Sequence, residues 1–201
     1  MYYDFDRESK KPMVMKIFIK SLIWAAQIAA VIFLAYFIVN YALERTTMVG
    51  ISMETTLSDK DHIIINKFSY HFTDPKRFDV IVFKKSGKEH SYYDIKRIIA
   101  LPGERMQIQD GIIYINGEAT HEVVNVEPMG NYGLAAEEIL LEENEYFVLG
   151  DNRNNSEDSR FASVGMIRRE EIIGKAFLRT SPFNFVNKLN LTKETASEED
   201  E

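Results

Sequence analysis

The 201-residue chain contains no cysteine. That absence removes a thiol nucleophile, a disulfide framework and a Cys-ligated metal from the available chemistry. It suits a cell exterior as well as a cytosol and does not choose between them. Basic residues are in the minority, 24 Lys and Arg against 31 Asp and Glu, for a formal net charge of −7. They form no stripe interleaved with aromatics, which excludes a nucleic-acid interface. Part of the negative charge lies in Glu194 to Glu201, where five of eight residues are acidic; this run reads as a solvated, disordered tail. No internal repeat or other low-complexity stretch is present. Histidine is scarce too: His62, His71, His90 and His121 are scattered, and none sits in a triad motif. The length leaves room for one extramembrane domain and an anchor, not for a second large domain.

Long apolar runs are lacking except for one. Ser21 to Leu43 carries no charged residue and is dominated by Ile, Val, Leu, Ala, Phe, Trp and Tyr, at the length that spans a bilayer. Trp24 near one end and Tyr36 and Tyr41 near the other stand where interfacial aromatics belong. The run is longer than the apolar part of a removable signal peptide, and no Ala-x-Ala site follows it closely. Arg7, Lys10, Lys11, Lys16 and Lys20 precede it, whereas the twenty residues after Leu43 hold only Arg45 and Lys60. This asymmetry predicts a cytoplasmic N-terminal tail over 1–20, a transmembrane helix over 21–43 and an extracytoplasmic domain beyond.

Beyond Leu43, helix signals are weak and strand signals frequent. Asp61 to Lys67, Phe78 to Phe83, Ile95 to Leu101, Gly111 to Asn116 and Glu145 to Leu149 are short runs rich in β-branched and aromatic residues, bounded by Gly, Pro, Asn or Asp. Asp110-Gly111 and Asn116-Gly117 supply the dipeptide of type I′ hairpins, whose two central residues need positive φ. One or two helical turns are expected over Ala135 to Glu143 and another over Arg168 to Ile173. The fold class is therefore mainly β, an antiparallel barrel-like domain over 44–185, followed by the acidic tail over 186–201.

Without cysteine or a placed histidine, a hydrolytic nucleophile would have to be a hydroxyl activated by another base. A lysine serves only when its amine is neutral at working pH, which burial in apolar surroundings favours. Lys96 lies in the strand-like Ile95-Lys96-Arg97-Ile98, where alternation sends Lys96 and Arg97 to opposite faces. One can then be desolvated while the other is solvated or paired. Ser52 follows Gly50, whose backbone is permissive, and precedes Met53 and Leu57, two apolar anchors for the loop. Backbone amides around Ser52 could form an oxyanion hole.

Four stretches occur in order: Gly50 to Leu57, Arg77 to Phe83, Lys96 to Glu104 and Gly150 to Arg160. They resemble the Gly-x-Ser-Met-x-Pro-Thr-Leu, Asp-Val-Val-Phe-like, Lys-Arg-x-x-Gly-Leu-Pro-Gly-Asp and Gly-Asp-Asn-Arg-x-x-Ser-x-Asp-Ser-Arg boxes of bacterial type I signal peptidases of the Gram-positive style. The resemblance runs from the anchor to about Pro182. It implies a signal peptidase fold, Ser52 as nucleophile, Lys96 as general base and Ser156 as the hydroxyl that orients the lysine amine. Gly50, Met53, Arg97, Asp151, Asp158 and Arg160 match positions that support the site. It also implies an exported preprotein as substrate, cut after a small residue at an Ala-x-Ala type site, with the lipid bilayer and the export machinery as neighbours. No cofactor or metal is implied, and Glu137, Glu138, Glu142 and Glu143 lack a calcium-loop pattern.

Three positions depart from the boxes. Thr55 stands where the family has Pro, removing a fixed φ from the nucleophile loop. Ala100 and Glu104 replace Gly and Asp. Gly50 occupies the place where some Gram-negative relatives carry a hydroxyl that donates to the oxyanion, leaving that task to the Ser52 amide and a further donor. Two rival readings are a non-catalytic relative that assists assembly of exported or pilus proteins, and a self-cleaving enzyme of the SOS-repressor type. The intact Ser52, Lys96 and Ser156 argue against the first. The second calls for a DNA-binding domain where this chain has a short tail and an apolar run.

Overall fold

The structure is a computed structural model that describes residues 11–84, 93–122, 124 and 126–186. His90 and the acidic tail from Glu194 lie outside the described residues. The chain divides into two compact units, Met1–Ala42 and Leu43–Glu201.

The first unit contains α1 (Lys11–Phe37), followed by a π-helical turn over Ile38–Ala42. Pro12, at the start, needs no intrahelical donor there. The Ser21 hydroxyl donates to the Phe18 carbonyl at 2.8 Å, so the polar side chain is satisfied by its own helix. Met13–Phe37 is long and apolar enough to cross a membrane, and its side chains are exposed along its length, the pattern of a span rather than of a surface helix with one apolar stripe. At 1.5 Å per residue its length is about 37 Å, enough for a hydrocarbon core of about 30 Å. The helix begins ten residues before Ser21 and so includes Lys16 and Lys20, whose long stems can carry the ammonium groups toward water.

Among the described residues, the second unit holds twelve strands: β1 (Leu43–Thr47), β2 (His62–Asn66), β3 (Val80–Phe83), β4 (Asp94–Ala100), β5 (Arg105–Gln109), β6 (Ile112–Ile115), β7 (Glu118–Ala119), β8 (Ile139–Leu140), β9 (Glu145–Leu149), β10 (Ile167–Arg168), β11 (Ile172–Thr180) and β12 (Phe183–Phe185). Every pairing is antiparallel. The larger sheet runs β1-β2-β11-β3-β4-β9-β10, with β12 on β11, and the smaller runs β7-β6-β5-β8. Register shifts at Ala176/Leu178, Ile172/Gly174 and Ile98/Ala100 interrupt the larger sheet. Such bulges bend strands and increase their twist, which curls the sheet into a half-barrel.

Both hairpin dipeptides behave as their chemistry requires. Asp110-Gly111, between β5 and β6, has φ of 52° and 79°, and Asn116-Gly117, between β6 and β7, has 52° and 85°. The helix expected over Ala135 to Glu143 is absent: one 3-10 turn, Gly133–Ala136, gives way to extended Glu137 and to β8. Ile139 pairs with Met106 and packs on the core, so sheet packing overrides a weak helical preference. The Arg168 to Ile173 helix likewise shrinks to a 3-10 turn, Arg169–Glu171, because Ile172 already opens β11.

Among the described residues, three apolar clusters form the core. Met48, Met53, Leu57, Ile63, Ile65, Val80, Val82 and Ile95 belong to the one beneath the Ser52 loop. Met53 is fully buried there, and burying such a side chain stabilises by about 1.5–3 kcal/mol. The loop is thus pinned to the sheet by the residue next to Ser52.

Candidate active site

The chain between β1 and β2 makes consecutive turns. Glu54 N–H donates to Ile51 O at 3.1 Å, and the N–H groups of Thr56 and Leu57 both donate to Met53 O, at 2.9 and 2.8 Å. Gly50 takes φ +85° and donates its N–H to Asp59 Oδ1 at 2.8 Å. Between these restraints Ser52 is half-buried at the surface of the loop.

β4 brings Lys96 to this loop. Its Nζ donates to Ser52 Oγ at 2.8 Å. Only 4% of Lys96 is exposed, and Ile95 and Ile98 beside it are buried. Arg97 turns to the other face, as strand alternation requires. There its guanidinium binds Asp151 bidentately, Nε to Oδ1 at 2.8 Å and Nη2 to Oδ2 at 2.6 Å. Nη1 donates to Phe78 O at 2.9 Å. Thr56 closes this network by donating to Asp151 Oδ2 at 2.5 Å, and it accepts from Arg97 Nη2 at 3.2 Å. The ion pair is sealed from water, with side-chain exposures of 4% for Arg97 and 0% for Asp151. Its two partners come from β4 and from the loop after β9, and Thr56 ties both to the Ser52 loop.

The Gly150–Arg160 segment reaches the same place directly. Asn152 N–H donates to Ser52 O at 3.0 Å, and its side-chain amide donates to Ile51 O at 3.1 Å. Gly150 lies so close that a Cβ there would overlap both Ser52 O and Ser156 Oγ, so only glycine permits this approach. Ser156 is 9% exposed, and its Oγ has no hydrogen-bond partner. Asp158 accepts Gly150 N–H at 3.0 Å and pairs with Arg160, Nε to Oδ1 at 2.8 Å and Nη2 to Oδ2 at 2.9 Å. Arg160 also donates to the Asn131 and Arg153 carbonyls, at 2.8 and 2.6 Å. Satisfied this fully, a buried guanidinium acts as a rigid bracket for the loop.

All nine residues singled out from the sequence, Gly50, Ser52, Met53, Lys96, Arg97, Asp151, Ser156, Asp158 and Arg160, therefore lie in this assembly of loop and sheet. Sequence reasoning missed Thr56, Asn152, Arg153 and Glu122. Arg153 is 2% exposed; its Nε donates to Gly150 O at 3.0 Å, and its Nη1 donates to Glu122 Oε2 at 2.8 Å. Nη2 lies 2.5 Å from Glu122 Oε1 as an ion pair without hydrogen-bond alignment. Thr56, Asn152 and Arg153 stood within the boxes, and a polar residue next to a buried anchor was the available signal. Nothing in the sequence marks Glu122.

Thr55 corrects one expectation. Its φ is +95°, which proline cannot adopt. Replacing the family proline therefore redirects the backbone rather than merely freeing it, and a β-branched residue in this region is strained. Among the described residues, no group of three or more His, Cys, Asp or Glu could hold a metal ion.

The family model described as "Signal peptidase, peptidase S26" matches residues 21–181. The chain belongs to this family. Signal peptidase membership makes it a hydrolase and a protease of signal-peptide processing, and the apolar helix fits membrane anchoring. Among curated relatives, "Probable signal peptidase I-2" of Synechocystis is 37% identical over 156 residues, 75% of this chain and 69% of the relative. "Signal peptidase I" of Bacillus amyloliquefaciens is 32% identical over 190 residues, 91% of this chain and 96% of the relative. The crystal structure of a signal peptidase I from Enterococcus faecalis is 32% identical, with a TM-score of 0.41, and covers 51% of this chain and 97% of its own.

Proposed function

We propose that this chain is a membrane-anchored serine endopeptidase that removes signal peptides from exported preproteins, cutting after a small residue at an Ala-x-Ala type site, with Ser52 and Lys96 as its catalytic dyad. The observation that carries the reading is the 2.8 Å separation of Lys96 Nζ from Ser52 Oγ around a nearly buried lysine.

The neutral Lys96 amine takes the Ser52 hydroxyl proton as Oγ attacks the substrate carbonyl. The oxyanion accepts a hydrogen bond from the Ser52 N–H. Lys96 then passes the proton to the leaving amine, which departs as the new N-terminus, and later activates the water that releases the acyl group. Ser156 holds the amine on course, and its unpartnered hydroxyl is free to take that bond. Arg97, Asp151, Asp158 and Arg160 fix the two loops, Met53 anchors the nucleophile loop, and Gly50 sets its entry. The substrate lies extended along a sheet edge, where main-chain bonds supply affinity and shallow pockets select small side chains. Residues 1–20 stay in the cytoplasm, 21–43 cross the membrane beside the export machinery, and 44–185 work outside. The excess of Lys and Arg before the span supports this orientation. Anchoring confines enzyme and membrane-bound substrate to one surface and so raises their effective concentration.

The test is cleavage of a preprotein carrying an Ala-x-Ala site by the full-length chain, with the new N-terminus read by mass spectrometry. Cleavage directly after that site is expected, rising with pH and persisting in chelator. It should vanish in Ser52→Ala and Lys96→Ala, and also in Lys96→Arg, because a guanidinium is no base at these pH values. Turnover retained in either Lys96 variant would force another base; no cleavage by folded wild-type protein would favour the assembly role.

A further inference from the structure

One cleft lies apart from Ser52. It has a volume of about 410 Å³ and is lined by Arg45, Thr46, Thr47, His62, Ile63 and Thr180. The register explains which side chains meet there. Thr47 is opposite His62 on β1 and β2, and the Thr47 hydroxyl and His62 Nδ1 are 3.1 Å apart. Arg45, two residues back on β1, shares their face. Arg179 of β11 pairs with Ile63, so Thr180 falls on the His62 side, and its hydroxyl donates to His62 O at 3.3 Å. A guanidinium, an imidazole and two hydroxyls thus converge on one outward sheet face.

The nearby acids are already engaged. Glu44 is held by Lys67 at 3.0 Å and by the Tyr93 hydroxyl at 2.8 Å. Burial works to raise the Glu44 pKa, but those two donors outweigh it and hold the carboxyl below its ordinary value. Asp61 accepts from Arg179 at 3.1 Å and from Ser58 N–H at 2.8 Å. Arg45, by contrast, is exposed and has no acidic partner among the described residues. The same sheet face continues into an apolar ridge. Phe183 and Phe185 lie opposite Thr180 and Leu178; Phe183 is 70% exposed, and Phe177 packs edge-on against Phe185 at 5.3 Å.

Arg45 follows Ala42, the last residue of the helical unit, by three residues, a reach of at most about 10 Å. A cationic, hydroxyl-lined cleft tethered that close to a bilayer surface, with exposed aromatics beside it, matches an anionic phosphate at headgroup level. We propose that this cleft binds the phosphate of an anionic phospholipid headgroup, with Arg45 as the principal cation and Phe183 and Phe185 resting in the interfacial layer. The proposal rests on the membrane-anchored reading and adds a second, lipid-specific contact to it.

The native chain has no cysteine, so one introduced at Phe183 (Phe183→Cys) takes a fluorophore uniquely. The full-length labelled chain is reconstituted into nanodiscs of phosphatidylcholine with increasing phosphatidylglycerol and a trace of headgroup spin-labelled lipid, and quenching is followed. Quenching should grow with phosphatidylglycerol and weaken with salt. Arg45→Gln should shift its midpoint about fivefold toward more anionic lipid, the effect of one basic residue near such a surface. Cleavage of a short peptide in detergent should be unchanged by Arg45→Gln, which shows that the variant folds. Incorporation into discs reports the anchor separately, so a failed anchor and a failed cleft are distinguishable. Equal quenching in both lipids, or a midpoint unmoved by Arg45→Gln, would overturn the proposal. So would protection by inorganic phosphate in phosphatidylcholine discs without any phosphatidylglycerol effect, since the cleft would then take free phosphate alone.

Discussion

Removing the Asp151 carboxylate tests whether the buried network beneath Ser52 holds the site together. In Asp151→Ala the Arg97 guanidinium stays buried and loses two charge-assisted hydrogen bonds, at 2.8 and 2.6 Å, while Thr56 loses its acceptor at 2.5 Å. With the pair nearly sealed from water, little solvent screening offsets the loss. Breaking one partner of such a pair costs about 3–5 kcal/mol, a large share of the roughly 5–15 kcal/mol that holds a domain folded. Urea unfolding of the full-length chain in micelles, followed by far-UV circular dichroism, reads this as a lower midpoint at unchanged slope. The double variant Arg97→Met with Asp151→Leu should regain most of the stability, since apolar replacement of a whole buried pair is close to neutral. It should still cleave more slowly than wild type, because Thr56 no longer fastens the Ser52 loop. A single-variant loss below about 1 kcal/mol, the range of exposed pairs, would refute the view that Arg97 and Asp151 form a closed, dry pair.

Gly150→Ala should cut turnover by at least about tenfold while leaving overall secondary structure intact, because its Cβ would drive apart the Ser52 and Ser156 loops; a wild-type kcat in this variant would mean that the loops need not touch. Thr55→Gly should raise stability by about 0.5–1 kcal/mol, the relief of left-handed strain less the entropy of glycine, and a lower urea midpoint would show that Thr55 does not hold positive φ in solution. Tyr70 concerns alkaline pH: burial first, then the Asp79 carboxylate that accepts its hydroxyl at 2.9 Å, pushes its pKa well above the ordinary value. A folded pKa raised above the unfolded value near 10 contributes stability that is fully present below about pH 10 and lost as pH climbs toward the folded value. Tyr70→Phe should therefore cost about 1–3 kcal/mol at neutral pH and flatten the decline of melting temperature above pH 10; an identical decline in both proteins would assign it to other groups.

Which parts of this molecule could be read from residues alone follows from how local their causes are. Asp110-Gly111 and Asn116-Gly117 declare their turns because two positive φ values are demanded within one dipeptide. Lys96 and Arg97 part to opposite faces because a strand has period two. β11 is different: it is the longest strand and lies between β2 and β3, yet Gly174, Lys175 and two register shifts hide its alternation. Its first residues also carry a helix-like charge pattern. The Ala135 to Glu143 stretch failed for a similar reason, since the partner that makes it extended is Met106, more than thirty residues away. At the site, the ordered boxes contained Ser52 and Lys96, which the structure brings to 2.8 Å of each other, but not the contacts that seat them. The Thr56 to Asp151 hydrogen bond and the Glu122 to Arg153 pair span 95 and 31 residues, and no local pattern records such pairings.

Those sequence separations carry a consequence for timing. The 52, 96 and 150s segments that make up the site come from the beginning, middle and end of the second unit, and Asn152 closes on Ser52 across a hundred residues of intervening chain. A growing polypeptide that has emerged only as far as β8 holds the serine and the lysine but lacks Asp151, Asn152 and Ser156. On the proposed Ser52 and Lys96 reading, hydrolytic competence is withheld until the segment carrying Asp151, Asn152 and Ser156 has arrived and docked, a latency set by the order of the chain itself.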